Sequence, residues 1–320
     1  FTLKSGETTL DEVYSYFGMR SVALRDGKFY LNGRSVFGRF VLDQGFYPDG
    51  VYTAPNDEAI RQDILLSKAL GFNGARMHEK VFEERYLYWA DRLGYLIWGE
   101  FPNWGLDISD PSGLAVFLPQ WAEALRRDYG SPALIVWCPF NETWDYAGRR
   151  QDERVLAEVY RYTKTFDPLR PCIDTSGLYH VVTDIFDVHD YEQEVGKFAS
   201  HYRGDGPYLT YPDRQTYRGE PYMVSEYGGA RWEPKGGPGW GYGSDPRSED
   251  EFAARYEALT HTLLQTDYCC GFCYTQLYDI EQERNGLYTY ARERKFSQAV
   301  YDRIRKANTE TAAIEKRLRR

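Results

Sequence analysis

Between residues 40 and 306 short apolar strands alternate with amphipathic helices, and this alternation predicts an α/β fold, a single (β/α)8 TIM barrel. Three observations carry the prediction. The strand–helix unit recurs until eight strands are counted, the stretch has the usual length of such a barrel, and ionisable or amide side chains gather where the strands end.

The elements follow in order. Residues 1–39 stand apart as a short β segment: Val13–Arg20 and Lys28–Val36 read as strands, the second broken at Asn32-Gly33, which suits a type I′ hairpin. Phe40-Val41-Leu42 is the first barrel strand, and Asp57 opens a helix that Gly71 closes. Strand two is Phe72–Arg76. The helix after it carries Phe82, Tyr86, Ala90 and Leu93 on one face, up to Gly94. Tyr95–Glu100 is strand three and 114–129 its helix. Leu134–Glu142 contains strand four, followed by a helix over 152–166. Pro171–Asp174 and Ile185–His189 are strands five and six. Tyr222–Glu226 is strand seven with a helix over 249–267, and Gly271–Leu277 is strand eight. A last helix is expected over 293–306, and 307–320 reads as a charged, fraying tail. The segments 192–219 and 228–248 are polar and rich in Gly and Pro, as βα loops at a barrel mouth would be.

Composition narrows the partner. The chain has 320 residues, 42% of them hydrophobic, enough for a full core. A mean hydropathy of -0.62 and no apolar run near 18 residues argue against a membrane span. A net charge of -9 disfavours a nucleic-acid backbone or an anionic membrane, so a neutral substrate fits better. With 28 Tyr and 8 Trp, aromatics supply a core and rim and also platforms on which sugar rings stack. Five cysteines do not make a disulfide framework in a chain this long, and Cys269-Cys270-x-x-Cys273 has no second cluster to complete a zinc site. Free, buried thiols are the expected state, compatible with either a cytoplasmic or a periplasmic setting, and the compartment stays open. No Gly-rich phosphate loop sits on a strand-to-helix turn, which disfavours a dehydrogenase or phosphate-binding barrel.

Strand ends hold the chemistry. The polar or aromatic residues there are Arg76, His78, Glu100, Asn141, Glu142, His189, Tyr191, Glu226, Tyr274 and Gln276. Glu142 and Glu226 each end an apolar run and are followed at once by aromatics, Trp144 and Tyr227. Strands four and seven face each other across an eight-stranded barrel. The two acids can therefore straddle one sugar, one protonating the leaving oxygen and the other attacking the anomeric carbon.

The chain resembles glycoside hydrolase family 2, the family of β-galactosidases, β-glucuronidases and β-mannosidases. The matching pieces are Ser15–Arg20, Leu31-Asn32-Gly33, Leu70–Asn73 with Arg76 and His78, Trp98-Gly99-Glu100, Asn141-Glu142, Ser225–Gly228, and Gly271-Phe272 with Asn285-Gly286-Leu287. The resemblance implies a retaining exo-β-glycosidase, most similar to a β-galactosidase, with Glu142 as acid/base and Glu226 as nucleophile. It implies that Tyr191 holds Glu226 and that Asn141 binds the hydroxyl beside the anomeric carbon. Sugar or carboxylate contacts are expected from Arg76, His78, Glu100, His189 and Trp144, and stacking from Tyr274. Physics then asks that Glu142 be protonated while Glu226 is charged.

Departures from the family pattern matter too. Some family β-galactosidases hold magnesium through a histidine after strand three; here Phe101-Pro102-Asn103-Trp104 follows Glu100, so no catalytic metal and no cofactor are expected. The Asn-x-Lys of family glucuronidases is missing after strand seven. Family members usually carry a sugar-binding sandwich and an immunoglobulin-like domain before the barrel, and residues 1–36 resemble only the last strand of such a domain, so a catalytic-domain fragment is expected. The alternatives are a non-catalytic carbohydrate-binding barrel and an endo-acting mannanase or glucanase of the same clan. Oligomeric state and sugar identity are not legible.

Overall fold

The computed structural model describes residues 1–204, 206–234 and 236–316. It opens with two antiparallel sheets. In the first, β1 (Thr2–Ser5) pairs with β2 (Thr8–Glu12), and both are exposed. In the second, β3 (Val22–Arg25), β4 (Lys28–Leu31) and β5 (Arg34–Val36) form a meander. Both turns of the meander have two residues at positive φ, Asp26-Gly27 and Asn32-Gly33, as type I′ geometry demands. The strand expected over Val13–Arg20 does not form. Only Val13 is paired, exchanging two backbone hydrogen bonds with Phe1; the rest is mostly exposed and tied down by Tyr16 to Asp91 and by Arg20 to the carbonyls of Pro132 and Leu134.

A seven-stranded parallel sheet follows. Its strands are β6 (Gly38–Asp43), β7 (Gly74–Met77), β8 (Leu96–Glu100), β9 (Leu134–Cys138), β10 (Phe186–Asp190), β11 (Tyr222–Tyr227) and β12 (Cys269–Tyr274), in the spatial order β10-β11-β12-β6-β7-β8-β9. Helices α1 (Asp57–Ala69), α2 (Glu84–Leu93), α3 (Leu114–Asp128), α4 (Glu153–Phe166), α5 (Val195–His201), α6 (Glu249–Gln265), α7 (Gln298–Thr309) and α8 (Ala313–Lys316) complete the chain. Their starts follow capping chemistry: the side chains of Asn56, Asp152 and Ser248 each accept a backbone N–H of the first turn. Among the described residues no helix is long and apolar enough to cross a membrane.

The expected fifth strand differs. Residues 171–176 make only isolated parallel bridges to the segment that carries β9, Trp137 with Cys172 and Asn141 with Ser176. The Asp174 carboxylate captures the backbone N–H groups of Val181 and Val182 and the ring of His180, so the chain turns instead of extending. The last helix also starts later than expected, at Gln298, and runs into the segment expected to fray. Ala312 and Ile314 are buried there and Glu315 pairs with Arg39; residues 317–320 of that tail lie outside the described residues. Within the 192–219 segment α5 was not foreseen.

Side-chain parity positions the site. Phe29 and Val36 of the meander line, with Phe40, Leu96 and Met223, a small apolar cavity at the amino ends of the strands. Toward the carboxyl ends the inward positions turn polar: Arg76 on β7, Glu100 on β8, Asp187 and His189 on β10. On β11 the register with both neighbours shifts between Val224 and Tyr227. This bulge lets the consecutive residues Ser225 and Glu226 both face inward. All five cysteines are free and buried.

Candidate active site

Arg76 is the hub of the site. Its guanidinium is fully buried, 5.3 Å over Trp98. It donates from Nε to Glu100 Oε2 (2.6 Å), from Nη2 to Glu100 Oε1 (3.2 Å) and Asn141 Oδ1 (2.5 Å), and from Nη1 to Glu226 Oε1 (2.6 Å). Every face of the fork is used, so Arg76 orients carboxylates and does not reach a ligand. Glu100 is also saturated and fully buried. Besides Arg76 it accepts from His78 Nδ1 (3.1 Å) and from the Glu79 backbone N–H (3.0 Å). Its place is behind the site, where it fixes Arg76 and His78.

Glu226 is held from two sides. Arg76 takes Oε1, and the Tyr191 hydroxyl, which also meets Thr275 Oγ1 at 3.0 Å, donates to Oε2. The Tyr191 ring stacks face to face on Tyr242. Burial and the neighbouring Glu226 charge keep that phenol protonated.

Glu142 follows β9 with its backbone at φ 40°, a left-handed conformation that a non-glycine residue adopts at a cost and that recurs at functional sites. His189 Nδ1 lies 2.6 Å from Glu142 Oε1, and Trp144 Nε1 donates to Oε2 at 3.3 Å. His189 Nε2 faces Ser176 Oγ at 3.1 Å, and Ser176 donates to Asp187. Gly177 makes room for the imidazole: at φ 80° it has no side chain, and a Cβ there would lie 2.3 Å from the ring. Burial raises the Glu142 carboxyl, but the hydrogen bond and charge of His189, with His78 and Arg76 behind it, outweigh burial and hold it down to about 2. This corrects the expectation of a protonated resting Glu142: its imidazole neighbour favours the charged form.

Asn141 is buried, and its Oδ1 is taken by Arg76 while Nδ2 has no partner. Its backbone exchanges two hydrogen bonds with the Asn103 side chain, at 2.6 and 2.9 Å. Asn103 went unnoticed in the sequence because it follows strand three without a motif. His78 and His189 are mostly buried and Trp144 is half exposed. Trp144 lines a cleft with Trp104, Leu106, Tyr146 and Glu142.

Tyr274 does not belong to the site. Along β12, Cys273 faces inward, as does Thr275 just beyond the strand, so Tyr274 points to the helix layer, against Tyr227 and Tyr256. The stacking expected of it is ruled out by strand alternation. The other expected residues are brought together, though Arg76 and Glu100 serve as supports.

Oxygen atoms of Glu142 and Glu226 and a nitrogen of His189 all lie within 4.8 Å of one another, near enough to share one cation as ligands. His189 Nδ1 and Glu142 are also bonded directly, and Arg76 already sits on Glu226, which supplies positive charge from the protein itself. Chemically the arrangement offers two opposed carboxylates, one anchored by a guanidinium and a phenol, the other coupled to an imidazole.

Comparison with known proteins places these residues in context. A family model described as glycosyl hydrolases family 2, TIM barrel domain, matches residues 22–240. A β-galactosidase of Yersinia pestis bv. Antiqua (strain Angola) is 29% identical over 193 residues, covering 58% of this chain and 18% of that protein. One from Yersinia pseudotuberculosis serotype O:1b (strain IP 31758) is equally similar, with 17% of its length covered. Among solved structures, the β-glucuronidase of Parabacteroides merdae with glycerol in its active site superposes with a TM-score of 0.79 at 16% identity, over 97% of this chain and 41% of that one. A β-galacturonidase of Eisenbergiella tayi bound to galacturonate gives 0.71 at 17% identity, over 91% and 55%. The match spans under a fifth of the two curated relatives, and the structural likenesses speak for the fold alone.

Proposed function

The chain belongs to family 2 of the glycosyl hydrolases, and from that premise we propose that it is the catalytic part of a retaining exo-β-glycosidase, β-galactosidase-like in its glycone. In this reading the barrel has eight strands, with residues 171–176 as a reduced fifth, spans 40–306, and takes a terminal β-linked sugar as its partner. One observation supports the retaining mechanism above the others. Glu142 and Glu226 present oxygens within 4.8 Å, which suits the ~5–5.5 Å carboxyl separation of retaining enzymes and leaves no room for the water an inverting enzyme interposes.

The steps follow from the contacts. A Glu226 oxygen attacks the anomeric carbon as the glycosidic C–O bond breaks, and Glu142 delivers a proton to the departing oxygen. Because the resting Glu142 is charged, the proton reaches it across the 2.6 Å contact with His189. The free Nδ2 of Asn141 donates to the neighbouring hydroxyl, a contact that tightens in the transition state. In the second half Glu142 takes a proton from water, which attacks the same carbon and releases Glu226. The cleft of Trp104, Trp144 and Tyr146 beside Glu142 lies on the leaving-group side.

The experiment is a panel of nitrophenyl β-glycosides covering galactoside, glucoside, mannoside, arabinoside and glucuronide. The galactoside is expected to turn over fastest, and no hydrolysis of any member contradicts the proposal. A second expectation concerns pH. In His189→Ala the largest lowering influence on Glu142 is gone, burial prevails, and the carboxyl moves up from about 2. Glu142 alone must then hold the catalytic proton, so the basic limb of kcat/KM, which reports loss of that proton, should move to lower pH while the acidic limb set by Glu226 stays, and neutral-pH kcat/KM should fall on the order of 100-fold. An unshifted profile would remove His189 from proton delivery.

A further inference from the structure

A second polar constellation stands at the same mouth, at the junction of the first and last strands of the sheet. Four side chains close a hydrogen-bonded ring. Gln44, one residue past β6, donates from Nε2 to Gln276 Oε1 (3.0 Å) and more loosely to Glu283 Oε2 (3.4 Å); Gln276 Nε2 donates to Asn285 Oδ1 (2.8 Å); and Asn285 Nδ2 donates to Glu283 Oε1 (3.0 Å). Gln276 and Asn285 are buried, while Gln44 and Glu283 keep partial exposure. The backbone under Glu283 is fixed by a bridge to Ile280 and by Trp240, which bonds Gln282 and Arg284 on either side of it.

Glu283 lacks what a largely desolvated carboxylate normally has. Among the described residues no cation lies within ion-pair distance of it: Arg284 and Lys295 turn to Asp279, Lys80 is spent on the carbonyls of Gly45 and Tyr52, and Arg76 on the catalytic side. Among the described residues its partners are side-chain amides, Asn285 and Gln44 with Gln276 beside them, which leaves acceptor capacity unused. Burial accordingly raises its carboxyl, against the pull of Asn285 and His78. Tyr242, stacked on Tyr191, is raised by burial and then by the charges of Glu226, Glu283 and Glu142, which puts all three acids around one phenol.

We propose that Glu283, presented by the Gln44–Gln276–Asn285 ring, is the specificity-determining acceptor for hydroxyl groups of the glycone, and that it restricts this site to neutral sugars by repelling a uronate. Hydroxyl donors of a neutral pyranose satisfy the unused lone pairs in charge-assisted bonds. A carboxylate at C6 would instead meet a like charge that, among the described residues, has no cation within ion-pair distance. The inference rests on the glycosidase reading and names its substrate class.

The test uses substrate pairs that differ only at C6: nitrophenyl β-galactoside against β-galacturonide, and β-glucoside against β-glucuronide. The wild type should favour the neutral member by about 100-fold or more in kcat/KM, and Glu283→Gln, which keeps the shape and removes the charge, should cut that ratio by about tenfold or more, by raising kcat/KM for the uronide as well as lowering it for the neutral substrate. A wild type that cleaves the uronide as well as its neutral partner overturns the inference. So does a variant that loses Tm and all activities in parallel with the ratio unchanged, the signature of a purely structural ring. Calorimetry with isofagomine and its uronic-acid counterpart reads the same discrimination without turnover. A protein that prefers the neutral compound but hydrolyses nothing sinks the hydrolase reading and leaves the specificity of the pocket standing.

Discussion

Glu226→Gln is expected to abolish turnover of aryl β-glycosides, with kcat lowered on the order of 10⁴-fold or more, because the variant has no nucleophile to form the covalent intermediate. The amide is isosteric, so the fold should persist. Arg76 and Tyr191 both donate to this side chain, and the amide nitrogen can accept neither bond, so a modest local penalty is expected with little change in circular dichroism. Glu226→Gly separates chemistry from packing. With azide present it should form the glycosyl azide at a measurable rate, since the small anion occupies the space the carboxylate left. Unchanged turnover in Glu226→Gln, or no rescue in Glu226→Gly with Glu142 intact, would contradict the assignment of roles.

The largest expected effect on stability comes from Arg76→Met. The guanidinium is fully buried and pairs with Glu100 and Glu226 together, while it also holds Asn141. Removing it takes the guanidinium counter-charge from two buried carboxylates, which keep only the contacts of His78, the Glu79 N–H and Tyr191, and leaves an amide oxygen unpaired, a loss of about 3–5 kcal/mol in unfolding free energy, read by urea denaturation. Arg76→Lys should recover only part of this, because an ammonium cannot reach Glu100 bidentately while serving Glu226 and Asn141. Folding as stable as wild type would show that the network is loosely coupled.

The legible features of the site are those that strand chemistry imposes locally. Glu142 and Glu226 stand out because a carboxylate directly after an apolar run has few structural reasons to be there, and Arg76, Glu100 and His189 end strands in the same manner. Two Asn-Gly-like pairs mark hairpins, Asn32-Gly33 and Asp26-Gly27, and the second carries the local signal that delimits β3. What was not legible depends on parity and on distance. Tyr274 was placed in the site because the inward positions of β12 cannot be told from its sequence, where small Cys273 and polar Thr275 turn out to face the centre. The bulge that brings Glu226 beside Ser225 is a pairing property with no local signature. Strand five was overread, since Asp174 diverts the backbone N–H groups downstream of it. Glu283 lies in a loop and acquires meaning only when Gln44, far away in sequence but next door through the β6–β12 pairing, closes the ring. Gln44 follows β6 directly and so carries the same strand-end signal as the other site residues.

The charge state of Glu142 shows why residue identity alone does not settle a mechanism. A general acid facing a second carboxylate should resist ionisation, and burial pushes it that way. The 2.6 Å contact with His189 reverses the sign. The acid function then belongs to the Glu142–His189 pair, which the sequence presents as two unrelated strand ends.

The most direct measurement is to trap the wild-type protein with a 2,4-dinitrophenyl 2-deoxy-2-fluoro-β-glycoside, chosen from the best substrate of the panel, and to sequence the labelled peptide by mass spectrometry. The account predicts one sugar per chain, attached to Glu226 within Tyr222–Tyr227, together with loss of activity at the same rate. A label on Glu142 or elsewhere, or rapid turnover that releases the inverted anomer with no adduct, would contradict it.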